Sequence, residues 1–186
     1  MIAAATTSWL IDPVPATIMT LCLAALWLAA GLHKLTDLTM FERSVAAYDI
    51  VPRALIPLFG RLLPVLELAL GVSLLIARTR LAAAVLGALL LAGYGAAIAA
   101  NLHRGRHDLD CGCLGFGAQS QISSTLVWRN GVAAVASLSV GLLPRAQRVS
   151  NWMDTWTIIA GAVVIALLYL AMEGLRLPAQ RVSRRG

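Results

Sequence analysis

The chain is short of charge and nearly without lysine. Charged residues make up only 13% of its 186 positions, against about 25% in a soluble domain. Nine are acidic, and fourteen of the fifteen basic ones are arginine, Lys34 being the exception. The arginines stand singly or in pairs between apolar runs, and only the tail RLPAQRVSRRG (176–186) gathers them. That distribution lacks the basic patch of a nucleic-acid binder and suits membrane-flanking charge drawn to anionic headgroups. No repeat or low-complexity tract is present. No Lys or Arg precedes the first apolar run, so the positive n-region of a secretory signal peptide is missing and a retained helix is expected there.

What is present is apolar surface, with 59% hydrophobic residues. One core in a chain this short cannot hide so much, and the bilayer is its natural solvent. Five runs are long enough for a helical span of about 20 residues: Val14–Gly31, Ala54–Ala77, Leu81–Ala100, Thr125–Leu143 and Trp156–Leu175. They are too long for barrel strands, so the expectation is an all-α integral membrane protein. It would be one membrane domain over 1–186: a four-helix core at 14–143, an additional helix at 144–175 and a basic tail at 176–186. Small residues in GALLLAGYGAAIAA (87–100) permit close helix approach where lipid supplies no hydrophobic drive. Pro57 and Pro64 are expected to loosen the second span, and Trp152 and Trp156 to anchor at an interface.

Two connections are long. In LHKLTDLTMFERSVAAYDIVPR (32–53), the spacing of Met40, Phe41, Val45 and Tyr48 predicts a short amphipathic helix on the membrane surface. The other, NLHRGRHDLDCGCLGFGAQSQISS (101–124), holds two of the three cysteines. Long connections of this kind are often functional. Counting spans brings both to one membrane face, along with His33, Lys34, Asp49, His103, His107, Cys111, Cys113 and Arg129.

Cys111 and Cys113 flank Gly112. A disulfide needs Cα atoms about 4.4–6.8 Å apart, and residues i and i+2 of an extended strand stand at or beyond that limit. The pair closes only in a tight turn, which Gly112 makes accessible. Strained, exposed disulfides are the labile, catalytic ones. A thiol–disulfide exchange site is the first reading, with Gly115 and Gly117 leaving the backbone open to a partner's sulfur. A loop-pinning disulfide or free thiols are the bland alternative. A third reading is a metal site in which His103, His107, Cys111 and Cys113 supply imidazole and thiolate to zinc or copper. Arg104, Arg106 and the histidines favour a thiolate, whereas Asp108 and Asp110 oppose it. Cys22, inside the first span, is assigned to packing.

Glu67 sits in the middle of the second span. A carboxylate at that depth costs roughly 2.5–3.5 kcal/mol on insertion scales, so it is paired, protonated or functional. It is expected to face the interior beside a polar or basic neighbour, in a structural inter-helix hydrogen bond or in a proton or quinone role. Arg61, reachable only if the helix bends near Pro64, Arg129, His33 and a buried hydroxyl are the candidates. Arg129 opens the fourth span as an interface snorkeller or as part of the polar floor beneath the cysteine loop.

AAGLHKLTDLTMFERSVAAYDIVP (29–52), followed by LPVLELALGVSLLI (63–76), resembles the DoxX-like family of small membrane proteins. NLHRGRHDLDCGCLGFGAQSQISSTLVWRN (101–130) narrows the resemblance to its methylamine-utilisation branch, MauE, over about residues 15–143. The resemblance implies a bundle of four DoxX-like helices, to which this chain adds a fifth C-terminal span, in the inner or plasma membrane. It also implies redox work at that membrane: maturation of a disulfide-rich extracytoplasmic enzyme such as methylamine dehydrogenase, beside a thioredoxin-like partner, with a quinone as acceptor. Cys111 and Cys113 would be the exchanging pair of a thiol–disulfide oxidoreductase, supported by Gly112, His107, Asp110, His33, Glu67 and Arg129. A non-catalytic assembly factor and a metal-handling protein are the rivals. Two rules pull the cysteine face opposite ways: its excess of Arg and Lys places it in the cytoplasm, while disulfide chemistry favours the outside.

Overall fold

A computed structural model of the protein describes residues 12–109, 121–146 and 151–183, with side chains as far as Leu168. Among the described residues there is no β-strand. The helices are α1 (Pro13–Thr36), α2 (Leu38–Tyr48), α3 (Ile56–Leu75), α4 (Arg80–His103), α5 (Ser124–Leu142) and α6 (Trp152–Ser183), with a 3-10 turn at Arg53–Leu55 leading into α3. Four of them, α1, α3 with its leading turn, α4 and α5, are long and apolar enough to cross a membrane. The apolar described stretch of α6, Trp152–Leu168, is shorter than a span.

The helix ends follow local chemistry. The Asp12 carboxylate accepts from the Val14 N–H at 2.9 Å, and Pro13 takes the first helical position, where its missing donor costs nothing. Asp37 caps α2 by accepting from the Met40 N–H at 2.9 Å and from the Thr39 hydroxyl at 2.9 Å. Its other end closes on Asp49 in the left-handed region, at φ 51°, which Asp tolerates better than most residues. α4 stops where Gly105 adopts φ +72°, the usual glycine termination. Pro57 lies in the first turn of α3, and α3 continues through Pro64.

The described chain falls into two compact units. In the unit running from Leu23 to Leu142, Leu23, Ala24 and Trp27 of α1 form a core with Leu70 and Leu74 of α3, Ala83, Ala84 and Leu91 of α4, and Val140 of α5. The helices approach closely where side chains vanish. A methyl group added at Gly71 would lie 2.8 Å from Leu28 Cγ and 3.1 Å from the Ala24 carbonyl oxygen, and one at Gly31 would lie 2.8 Å from the Pro64 carbonyl oxygen. The tight α1–α3 contact therefore rests on these two glycines. Of the glycines expected to do this in α4, a methyl group at Gly87 would lie 3.3 Å from Ser137 Oγ and from Trp27 Nε1, whereas Gly93 has nothing within 4 Å. Across α4 and α5 the Ser137 hydroxyl donates to the Ala84 carbonyl at 2.9 Å, one of the interhelical bonds that hold membrane helices together.

The other unit joins the chain up to Cys22 with the chain from Leu143. Here Arg145 donates to the Thr20 hydroxyl at 3.0 Å, and a methyl group at Gly161 of α6 would meet Ile18 Cδ1 at 2.7 Å. α6 starts on Asn151, whose side chain accepts from the Trp152 N–H while Asp154 reaches back to the Asn151 N–H, both at 2.8 Å. Trp152 and Trp156 are exposed, as interface anchors are.

Candidate functional site: a clamped loop stem and a buried ion pair

The Cys111–Gly112–Cys113 segment and Asp110 lie outside the described residues. The structure does show what holds the two ends of that connection. The Ile122 N–H donates to the Leu109 carbonyl at 2.9 Å, so the chain entering and the chain leaving are bonded to each other. Ile98, Ile122 and Leu126 form a buried cluster beneath this stem, covered by Tyr48, Leu102, Leu109 and Val127.

The stem is also tied to α2. Asn101, wholly buried in the last turn of α4, donates to the Tyr48 carbonyl at 3.2 Å. Arg106 donates to the Ala47 carbonyl at 2.8 Å and to the Asn101 side-chain oxygen at 3.2 Å. The last carbonyls of α2 would otherwise lack partners, and these two side chains supply them. The 32–53 connection and the cysteine connection thus share one end of the bundle, as span counting requires.

Two turns deeper lies a second polar cluster. Lys34 of α1 forms an ion pair with Glu67 of α3, their side chains 3% and 0% exposed. The Tyr94 hydroxyl of α4 donates to the same carboxylate oxygen, Oε1, at 2.7 Å. The Lys34 ammonium lies 5.0 Å from the centre of the Phe41 ring of α2 and 4.8 Å from that of Tyr94, both within cation–π range. Four helices each contribute one group. The other carboxylate oxygen, Glu67 Oε2, is buried without a hydrogen-bond partner among the described residues. A buried charge needs pairing to be tolerable at all, and here a cation and a phenol both meet it at Oε1.

The partner of Glu67 differs from the charged candidates read from sequence. Arg61 and His33 are exposed and Arg129 is half-buried; the carboxylate takes Lys34 instead, and the buried hydroxyl is that of Tyr94. Counting spans places Lys34 at the membrane face, at the end of α1. Its side chain leans toward the α1 N-terminus, as helical side chains do, and so returns to the bundle interior. Its signal in the sequence was its singularity and its position seven residues after Trp27, on the same helix face. The connection carrying Phe41 does form a helix, but Phe41 is buried over Lys34 while Met40 is 53% exposed. α2 is therefore packed on the bundle by one side and open on the other.

The remaining candidates are spread out. His103 and His107 are exposed, and the cysteines that would complete a metal string with them lie outside the described residues. An apolar groove of about 600 Å³ beside the stem is lined by Leu102, His103, Val127 and Trp128. Cys22 is a free, partly buried thiol in α1, in keeping with a packing role.

A family profile described as "Methylamine utilisation protein MauE" matches residues 12–144. The chain is 34% identical over 164 residues to the "Methylamine utilization protein MauE" of Paracoccus denitrificans, covering 88% of each chain. It is 34% identical over 163 residues to the protein of that name from Methylophilus methylotrophus, covering 87% of this chain and 86% of the relative. It is 36% identical over 162 residues to that of Paracoccus versutus, covering 87% of both. No solved structure matches the chain. With four span-capable helices and a profile match across them all, this multi-pass membrane protein belongs to the MauE family.

Proposed function

We propose that the protein is a thiol–disulfide exchange factor of methylamine utilisation, seated in the inner or plasma membrane. It would mature a disulfide-rich extracytoplasmic enzyme of the methylamine dehydrogenase kind together with a thioredoxin-like partner. The relatives are named for methylamine utilisation, and the sequence of this chain supplies the Cys-Gly-Cys pair. The observation that carries the reading is the stem: Leu109 bonded to Ile122, with Arg106 and Asn101 fastened to the α2 carbonyls. The base of the connection is closed and anchored by buried polar groups, the fixed support that an exchange site needs.

The chemistry balances in two steps. A thiolate of the client attacks the Cys111–Cys113 disulfide, forming a mixed disulfide. A second client thiol resolves it, leaving the client oxidised and Cys111 and Cys113 as thiols. A quinone in the bilayer then takes two electrons and two protons from the dithiol, giving quinol and the restored disulfide. In this reading α6 forms a fifth span beside a DoxX-like four-helix core.

The test is Cys111→Ser and Cys113→Ser, singly and together, in a strain that depends on this protein for an active amine dehydrogenase. Each single variant should insert normally and abolish maturation, and one should accumulate a mixed disulfide with its client. Full maturation by the double variant refutes thiol exchange in favour of an assembly factor. Loss of a bound metal ion, copied by His103→Ala or His107→Ala, favours metal handling instead.

A further inference from the structure

The apolar groove between α4 and α5 has a direction. Leu102, His103 and Ser124 line one end of it, where α4 stops and α5 starts. Both helices are long and apolar enough to cross a membrane over those bounds, which puts this end at the edge of the hydrocarbon layer. From there the groove follows α5 through Val127 and Trp128 to Gly131, seven residues or about 10 Å deeper. The two side chains with polar groups at the shallow end are His103 and Ser124, and the deeper lining is aliphatic apart from the Trp128 indole. Ala99 and Gly131 keep the floor low, and a methyl group added at Gly131 would meet nothing within 4 Å. Its volume of about 600 Å³ falls within the roughly 300–1,000 Å³ of ligand sites. Trp128, 73% exposed, stands beside it, an aromatic suited to headgroup depth.

Positive charge gathers at the shallow end. Residues 101–109 carry His103, Arg104, Arg106 and His107 against a single acid, Asp108. Arg106 is already engaged by the Ala47 carbonyl and Asn101. His103 and Arg104 are exposed, and Arg104 joins no ion pair among the described residues. The groove is thus apolar along its depth and cationic where it reaches the membrane surface.

We propose that this groove binds one anionic phospholipid, its phosphate at His103 and Arg104 and one acyl chain laid along Ala99, Val127 and Gly131. The site goes beyond the thiol-exchange reading and does not depend on it. The acyl chain gains no hydrophobic energy there, because the surrounding lipid is as apolar as the groove. What it gains is carbon contacts with two helices at once. The headgroup supplies the selectivity: a basic residue at a membrane surface favours anionic lipid by about fivefold. Zwitterionic lipid fits the same trough but leaves the cationic end without a counter-charge.

The experiment uses the full chain in a neutral detergent, titrated with phosphatidylglycerol or with phosphatidylcholine of the same acyl chains. Bound lipid is read by native mass spectrometry. Phosphatidylglycerol is expected to bind about fivefold more tightly, and Arg104→Gln to remove that preference. Gly131→Leu fills the groove with a side chain whose first carbon meets nothing in the protein. It should fold with an unchanged or higher Tm, because leucine is the better helix former, and weaken both lipids by about tenfold for roughly ten lost carbon contacts. Gly93→Leu is its control: that position on α4 is equally open but does not line the groove, so binding should match the wild type. Equal affinity for the two lipids, a preference that survives Arg104→Gln, or equal losses in Gly131→Leu and Gly93→Leu each overturn the site. So does a quinone that displaces the phospholipid, or a dimer of this chain that Gly131→Leu splits.

Discussion

Replacing Lys34 with methionine isolates the energetics of the intramembrane ion pair. Methionine keeps a thin, flexible stem between the Phe41 and Tyr94 rings and removes only the ammonium. Glu67 is wholly buried and its Oε2 already lacks a partner, so in Lys34→Met the carboxylate keeps one donor, the Tyr94 hydroxyl at 2.7 Å. Leaving an uncompensated buried charge costs about 3–5 kcal/mol. For a chain of this size each kcal/mol corresponds to about 2–4 °C, so the loss in Tm should be roughly 6–20 °C. Adding Glu67→Gln removes the stranded charge while the Tyr94 hydroxyl can still donate to the amide oxygen. The double variant should regain most of the loss and stay about 1–2 kcal/mol below the wild type for the cation–π contacts it no longer makes. Thermal unfolding in detergent, followed by intrinsic fluorescence with buried Trp27 as reporter, measures all three. A single variant within about 1 kcal/mol of wild type, or a double variant as unstable as the single, would refute the idea that Lys34 neutralises a charge the bundle cannot otherwise hold.

Two further outcomes are expected. Hydrogen bonds from the Met40 N–H and the Thr39 hydroxyl, aided by the charges of Arg43 and His33, hold the Asp37 carboxyl below the usual carboxylate range. Its folded value is depressed, so its contribution to capping α2 is present above the unfolded value near about 3.9 and is lost as pH falls through the folded value. Amide exchange in α2 should therefore accelerate in acid below about pH 4, and Asp37→Asn should abolish that step; an unchanged acid profile counts against the cap. Gly71→Ala should destabilise by about 1–3 kcal/mol because its methyl group meets the Ala24 carbonyl at 3.1 Å as well as Leu28. Gly93→Ala, open on that side, should be neutral or stabilising by up to about 1 kcal/mol; the reverse order in thermal unfolding would contradict the α1–α3 packing.

The spans were legible because they depend on a local quantity, the length of an apolar run measured against a fixed hydrocarbon thickness. Four of the five runs return as span-capable helices at nearly the residues expected. The short helix before α3 was equally legible, since spacing along one helix needs no knowledge of neighbours. That Glu67 must face inward also followed from sequence, because the cost of exposing a carboxylate to acyl chains does not depend on which helix lies opposite.

What the sequence could not decide were the choices between elements. For Glu67 the sequence left Arg61, Arg129, His33 and a buried hydroxyl open; the hydroxyl is that of Tyr94, and the cation is Lys34, 33 positions away. Gly31 and Gly71 bring α1 against α3 closely enough for the Lys34 stem to reach across. Small residues in α4 looked equally suited to close packing; neighbours arrive at Gly87, where Ser137 and Trp27 close in, but not at Gly93. Phe41, expected on the apolar face of a helix lying on the membrane, covers a buried ammonium, because α2 turns that residue toward Lys34. Apolar length determines that this chain enters a membrane and where it must bury a charge. Which cation neutralises that charge is determined by helix packing, since the contact joins residues of different helices that no local pattern relates.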